Sequence, residues 1–243
     1  MKILVTRPLE ESRATAKALG DLGYDAHIAP MFEIILCADS APIKSNTQGI
    51  IFTSKTAVRA FCENHATRDL PAWCVGDETE SAAKQAGFGT THSADGDSIA
   101  LGRKLIEEYD PKRGTLIRIA GDNTPGKLDD LLREKGFNLE RHTLYQVRPI
   151  ERFDEATATL IAQKAIDGVM FFSPFTAQIF TGCAAKAGLA EACRALTAWC
   201  ISDETARALG ALPFRHRIVA PRPTRSALLS LLPLNTQPRQ AAQ

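Results

Sequence analysis

The chain has 243 residues, 44% hydrophobic and 23% charged, an ordinary globular mix with room for one large or two small domains. Its 29 basic and 28 acidic residues leave a formal net charge of +1, which excludes the broad basic field of a nonspecific nucleic-acid binder. Any anionic ligand must be held by local features. Met1–Val5 reads as a first strand; its apolar run is too short for a signal-peptide core, and Thr6-Arg7-Pro8 follows at once. No stretch approaches the ~20 apolar residues of a membrane span.

Along the chain, strands and helices alternate. Segment A, Ile3 to Ile34, is a strand, a polar turn, a helix ending at Leu22-Gly23-Tyr24 and an extended stretch. Segment B opens with Gly49-Ile50-Ile51-Phe52-Thr53, and Ser54 starts a helix. Segment C carries Ala72-Trp73-Cys74-Val75-Gly76 and then Asp77-Glu78-Thr79. Ser98, with Gly96 behind it, opens a helix bearing Ile99, Leu105 and Ile106. Segment A′, Leu116 to Val147, repeats the plan of A, with an apolar stripe Leu128, Leu131, Leu132 that stops at Gly136. B′ runs Gly168-Val169-Met170-Phe171-Phe172-Ser173-Pro174, and C′ runs Ala198-Trp199-Cys200-Ile201-Ser202-Asp203-Glu204-Thr205. The polar tail from Leu234 to Gln243 is expected to fray.

Residues 72–88 and 198–214 share eight of seventeen positions without a gap, including Trp-Cys-x-x-Asp-Glu-Thr. The chain is therefore a duplication in the order A, B, C, A′, B′, C′. Continuous apolar strands between helices predict an α/β fold of two similar domains, each a buried parallel sheet flanked by helices. Ligands then bind at the carboxyl ends of the strands.

Ser54, Ser173, Asp77 and Asp203 are expected N-caps, which stabilise by ~1 kcal/mol each. Their occurrence as two matched pairs around one predicted cleft also points to a multi-anion site built from helix N-termini. Gly121 to Lys127 fits GxxxxGK, but Leu128 stands where a phosphate-binding loop needs Ser or Thr, and Pro125 removes an amide, so nucleotide binding is not expected. Tyr145, at the end of A′, reads either as a packed aromatic or as a phenol able to give a proton. Arg7, Lys55, Arg118, Lys127, Arg141 and Arg148 lie at or near strand ends, where such side chains are solvated as a class; Arg7 directly follows the first strand. Six cysteines without CxxC pairing, two of them in apolar strands (Cys74, Cys200), suit buried thiols in a reducing compartment. Five scattered histidines give no metal-ligand spacing.

Ile3-Leu4-Val5-Thr6-Arg7-Pro8, Ile51-Phe52-Thr53-Ser54 with Ala57-Val58, Val75-Gly76 with Thr79, Thr143-Leu144-Tyr145-Gln146 and Phe171-Phe172-Ser173-Pro174 occur in the order seen in uroporphyrinogen-III synthases. From about Lys2 to Leu232 the chain resembles that family. The resemblance implies that A joins B′ and C′ in one domain, residues 1–36 plus 152–243, and that B, C and A′ form the other, residues 42–146. Linkers at 37–41 and 147–151 would bridge them around a cleft, placing Thr79 and Thr205 in different domains. The layers would be flavodoxin- or Rossmann-like.

It also implies a cytoplasmic hydro-lyase of tetrapyrrole biosynthesis that closes the linear tetrapyrrole hydroxymethylbilane to uroporphyrinogen III through a spiro intermediate. No metal or organic cofactor, nucleic acid or membrane is implied. A monomer is expected, with a transient contact to the upstream deaminase left open. By motif matching, Tyr145 is the candidate proton donor, and Arg7, Ser54, Lys55, Gly76, Thr79, Gly121, Ser173 and Thr205 are candidate substrate contacts. Two residues depart from the family pattern: Ser202 stands where Gly is usual, and Lys127 stands where Arg is common. A noncatalytic tetrapyrrole- or anion-binding module on the same fold is the competing reading; retention of Tyr145 and both threonines favours the enzyme.

Overall fold

The computed structural model describes residues 1–38, 42–94, 96–122, 124 and 126–233. Pro125, residues 39–41 of the expected first linker and the tail from Leu234 lie outside the described residues. In chain order the elements begin with β1 (Lys2–Val5), α1 (Leu9–Asp21), β2 (Asp25–Ile28), β3 (Phe32–Leu36), β4 (Thr47–Phe52), α2 (Lys55–Asn64) and β5 (Ala72–Cys74). Next come α3 (Asp77–Gln85), β6 (Thr91–Ser93), α4 (Ser98–Glu108), β7 (Thr115–Gly121), α5 (Lys127–Glu134) and β8 (Asn138–Pro149). The chain continues with α6 (Glu155–Ala162), β9 (Gly168–Phe171), α7 (Pro174–Lys186), a 3-10 turn (Glu191–Ala195), β10 (Thr197–Cys200), α8 (Asp203–Ala208), β11 (His216–Val219) and α9 (Arg225–Leu229).

Local chemistry accounts for most helix ends. Ser54 and Ser173 are extended and accept hydrogen bonds from the amides of Ala57 and Thr176. The helices α1 and α5 end alike: Gly23 and Gly136 take φ of 84° and 83°, and the amides of Tyr24 and Phe137 reach back to the carbonyls of Leu19 and Leu132. Three expected caps move by one position. Asp97, not Ser98, caps α4, its carboxylate accepting from the amides of Ile99 and Ala100. Gly76 and Ser202 are the extended residues ahead of α3 and α8, so Asp77 and Asp203 fall in the first turn, where their charge meets the helix dipole.

The chain divides into two compact units, Met1–Glu33 with the described part of Arg148–Gln243, and Ile34–Val147. The boundaries fall inside β3, ahead of the expected linker at 37–41, and inside β8, at the start of the expected linker at 147–151. Ile34 and Leu36 of β3 pack on the core of the second unit. The first unit holds a five-stranded sheet in the order β11-β10-β9-β1-β2, with each neighbouring pair parallel. The second holds a six-stranded sheet, β3-β8-β7-β4-β5-β6, parallel from β8 to β6. Repeated segments occupy equivalent places: β2-β1-β9-β10-β11 corresponds to β8-β7-β4-β5-β6.

Both sheets are buried on both faces. In the first unit Leu4, Val169, Phe171, Ala198 and Cys200 join one core, and Ile3, Val5, Met170 and Trp199 the other. In the second, Ile50, Phe52, Ala72, Cys74, Ile117 and Ile119 face one way, and Ile51, Trp73 and Leu116 the other. This is the period of two that a strand imposes. Burial pushes the thiols of Cys74 and Cys200 up to about 12, so they act as small apolar groups at neutral pH.

Each repeat pairs a glycine with its tryptophan across adjacent strands. A methyl on Gly168 would overlap Cζ3 of Trp199 and the carbonyl of Thr197, whereas one on Gly49 would sit 3.4 Å from Cδ1 of Trp73 and the Pro71 carbonyl. Gly168→Ala is therefore expected to cost about 1–3 kcal/mol, and Gly49→Ala clearly less. Urea denaturation of the two variants measures the difference; equal midpoints would show that the ring is not what demands glycine.

Candidate active site

Parallel strands in register bring their carboxyl ends to one edge of a sheet, and in the second unit that edge presents the loops after β7, β4 and β5 side by side. Ser54 follows β4 and is half-buried, its Oγ accepting from the Ala57 amide at 3.1 Å. Lys55 is exposed, and its Nζ meets Glu78 Oε2 at 2.9 Å, a surface pair worth under about 1 kcal/mol. Gly76 follows β5, and a side chain there would meet nothing within 4 Å. Thr79, 7% exposed, sits in the first turn of α3 with its amide bonded to the Gly76 carbonyl. Among the described residues no group of three His, Cys, Asp or Glu could hold a metal.

Tyr145 closes the same edge. The ladder between β7 and β8 slips by one residue: Ala120 stands opposite Thr143, but Gly121 stands opposite Tyr145. A bulge of this kind re-aims side chains. Here it leaves two successive residues, Leu144 and Tyr145, buried together in one core. The Tyr145 ring lies directly against Gly121; a Cβ on that glycine would come within 2.6 Å of Cε2 and 3.0 Å of Cζ. Gly121 is thus a seat for the ring. The turn after it is tied back to β8: the Asp122 amide donates to the Tyr145 carbonyl at 3.1 Å, and the Val147 amide to Asp122 Oδ1 at 3.2 Å. Within the turn, the Gly121 amide donates to Thr124 Oγ1 at 2.9 Å.

Of the basic residues expected to be solvated, one is fully buried and another only partly exposed. Arg118 lies in the middle of β7 and is 2% exposed, ion-paired with Asp129 of α5, itself 3% exposed. Arg141 on β8 stands 3.9 Å from the other oxygen of Asp129, and its Nη2 donates to the Gly121 carbonyl at 2.8 Å. An arginine inside Leu116-Ile117-Arg118-Ile119 is the signal that could have revealed this, because a charge in a buried strand requires a partner. Lys127 and Arg148 are exposed.

The first unit has its own edge, with the loops after β10, β9 and β1 adjacent. Arg7 places its guanidinium 4.7 Å from the centre of the Phe172 ring, a cation–π contact. Ser173 caps α7 and lies 3.2 Å from the Thr176 hydroxyl. Thr205 is fully buried, and its hydroxyl lies 3.0 Å from Ser202 Oγ. Here the repeats differ: Ser202 supplies a hydroxyl to Thr205, and Gly76 supplies none to Thr79. The structure thus groups Ser54, Lys55, Gly76, Thr79, Gly121 and Tyr145 on one edge, and Arg7, Ser173 and Thr205 on the other unit's edge.

A family model described as uroporphyrinogen-III synthase HemD matches residues 13–230. The porphyrin biosynthesis protein HemD of Ruminiclostridium josui is 26% identical over 95% of this chain; the chain spans 48% of that relative's length. Among solved structures, uroporphyrinogen-III synthetase from Helicobacter pylori is similar in fold, with a TM-score of 0.65, 16% identity and coverage of 95% of this chain and 97% of that one. A mutant uroporphyrinogen III synthase from Thermus thermophilus gives a TM-score of 0.55 at 18% identity, covering 95% and 96%.

The packing at Gly121 leads to a direct comparison. Gly121→Ala is expected to cost about 1–3 kcal/mol by pushing on the Tyr145 ring, whereas Gly89→Ala, where a methyl would meet nothing within 4 Å, should not destabilise. Urea midpoints decide it: a Gly121→Ala protein as stable as Gly89→Ala would mean that the ring does not need this seat.

Proposed function

Because the chain belongs to the uroporphyrinogen-III synthase family, we propose that it cyclises hydroxymethylbilane to uroporphyrinogen III, inverting ring D and releasing water. The observation that carries this reading is the Tyr145 ring seated on Gly121 at the carboxyl edge of a buried parallel sheet, beside the helix starts at Ser54 and Gly76.

In this reading the Tyr145 phenol gives its proton to the departing hydroxyl, leaving an electrophilic azafulvene. The terminal pyrrole attacks it at its substituted carbon. The resulting spiro intermediate fragments, recloses with ring D inverted and loses a proton to solvent or to the phenolate. The substrate's acetates and propionates suit helix N-termini and loop amides, so Ser54, Ser173 and Gly76 are taken as carboxylate-binding positions. Arg7 and Lys55 add positive charge, and Lys55 must leave Glu78 to do so. Thr79 is a contact beside the open Gly76 loop. Thr205 has to exchange its Ser202 partner for substrate.

Closure without inversion is chemically easy, so the protein's main contribution is to impose a conformation on the chain of pyrroles. The two compact units are read as the enzyme's two domains. The same reading makes it a cytoplasmic monomer of tetrapyrrole biosynthesis that uses no metal or organic cofactor, and a transient contact with the upstream deaminase is compatible with it.

The purified chain incubated with hydroxymethylbilane should yield the type III isomer on chromatographic separation of the oxidised products. Type I alone would overturn the enzyme reading, and binding without conversion would mark a noncatalytic module. Tyr145→Phe should lower kcat by about 10²-fold or more. An undiminished rate would remove the acid role and leave the reaction standing.

A further inference from the structure

Arg141 occupies an unusual place among the basic side chains near the strand ends. It is only partly buried, with 26% of its side chain exposed, and its polar contacts among the described residues are both internal. One is the Gly121 carbonyl at 2.8 Å; the other is Asp129 at 3.9 Å. Asp129 is in turn held by the buried Arg118. The chain of contacts runs from the middle of β7, through α5, to β8 and then to the last residue of β7.

That last residue sits at the bulge. The slip between Ala120 and Gly121 takes the Gly121 carbonyl out of the regular ladder, and it accepts instead from Arg141 Nη2 and, at 3.3 Å, from the Thr124 amide. The same glycine is the surface on which the Tyr145 ring rests. Nη1 of the same guanidinium lies in ion-pair range of the buried Asp129, and a planar fork bonded through one nitrogen and drawn toward a carboxylate through another has little freedom left. Fixing the carbonyl fixes the peptide plane at Gly121, and the peptide plane fixes the ring's seat.

We propose that Arg141, oriented by Asp129, is a positioning residue for Tyr145: it sets the peptide at Gly121 and through it the direction of the phenol. The proposal deepens the reading of Tyr145 as proton donor and rests on it only for its effect on rate. Arg141 itself touches no reacting atom in this scheme.

The chain has three tyrosines, so protein labelled with carbon-13 at tyrosine Cζ gives three signals. Loss of one signal in Tyr145→Phe assigns it. In Arg141→Gln the Tyr145 signal should shift or split, while those of Tyr24 and Tyr109 hold their positions and report an intact fold. Arg141→Lys, run in parallel, keeps the charge beside Asp129 and should move the same signal to a lesser extent, which covers failure of the glutamine variant to fold.

On rate, Arg141→Gln should lower kcat about tenfold with KM little changed, as misplacing a general acid does, and should lower it no further in a Tyr145→Phe background. An unmoved Tyr145 signal, or rate losses that multiply, would overturn the positioning role. If Tyr145→Phe keeps its full rate, the acid reading fails on its own, and the Tyr145 signal alone decides whether Arg141 positions the ring.

Discussion

Every strand in the middle of the two sheets is buried on both faces, and the rest of the structure follows from that constraint. A strand with no wet face can carry only apolar or fully paired side chains, so chemistry is expelled to its ends. Parallel pairing then gathers all the carboxyl ends on one edge. The helices that cover the faces must start there, which brings their unbonded amides to the same place. Ser54, Gly76, Ser173 and Ser202 are four solutions to one local problem: how to begin a helix directly after a buried strand.

Among the described residues, the one Lys, Arg, Asp or Glu fully buried in a strand shows how strict the constraint is. Arg118 sits among leucine and isoleucines, and desolvating it would cost several kcal/mol without Asp129. The pair does more than cancel that cost. It fixes α5 against β7, and Arg141 extends the link to β8 and to the Gly121 carbonyl. A buried carboxylate between two guanidinium groups is a support with little freedom, and the proposed aiming of the Tyr145 phenol would rest on it.

Space left by absent side chains is the second device. Gly168 leaves room for Trp199, and Gly121 for Tyr145. In both cases a flat ring lies on a neighbouring strand where any Cβ would intrude. The duplication kept a glycine beside the tryptophan in both units, but only Gly168 is pressed so closely; a methyl on Gly49 would clear Trp73 at 3.4 Å. The tyrosine version appears at Gly121, where a bulge turns Tyr145 toward the core.

The sequence by itself determined the local structure: the alternation of strands and helices, the caps at Ser54 and Ser173, the glycine stops at Gly23 and Gly136, and the two-fold repeat. All of these depend on groups a few residues apart, so periodicity and hydrogen-bonding capacity reveal them. Caps misplaced by one residue, at Asp97, Gly76 and Ser202, mark the limit of that reasoning, since which residue stays extended depends on where the preceding strand ends.

The local sequence left open which copies pair: the family resemblance implied A with B′ and C′, and it is the tertiary structure that sets β1 beside β9 and β7 beside β4. The strands β4 and β9 both read glycine, two apolar residues, then phenylalanine, so nothing local tells β1 to choose β9 and β7 to choose β4. The tertiary structure alone decided that Arg118 meets Asp129, that the bulge at Gly121 turns Tyr145 inward, and that Ser202 engages Thr205. The reason is the same in each case: pairing and burial are set by groups distant in sequence, and a duplicated chain offers two equivalent candidates for each.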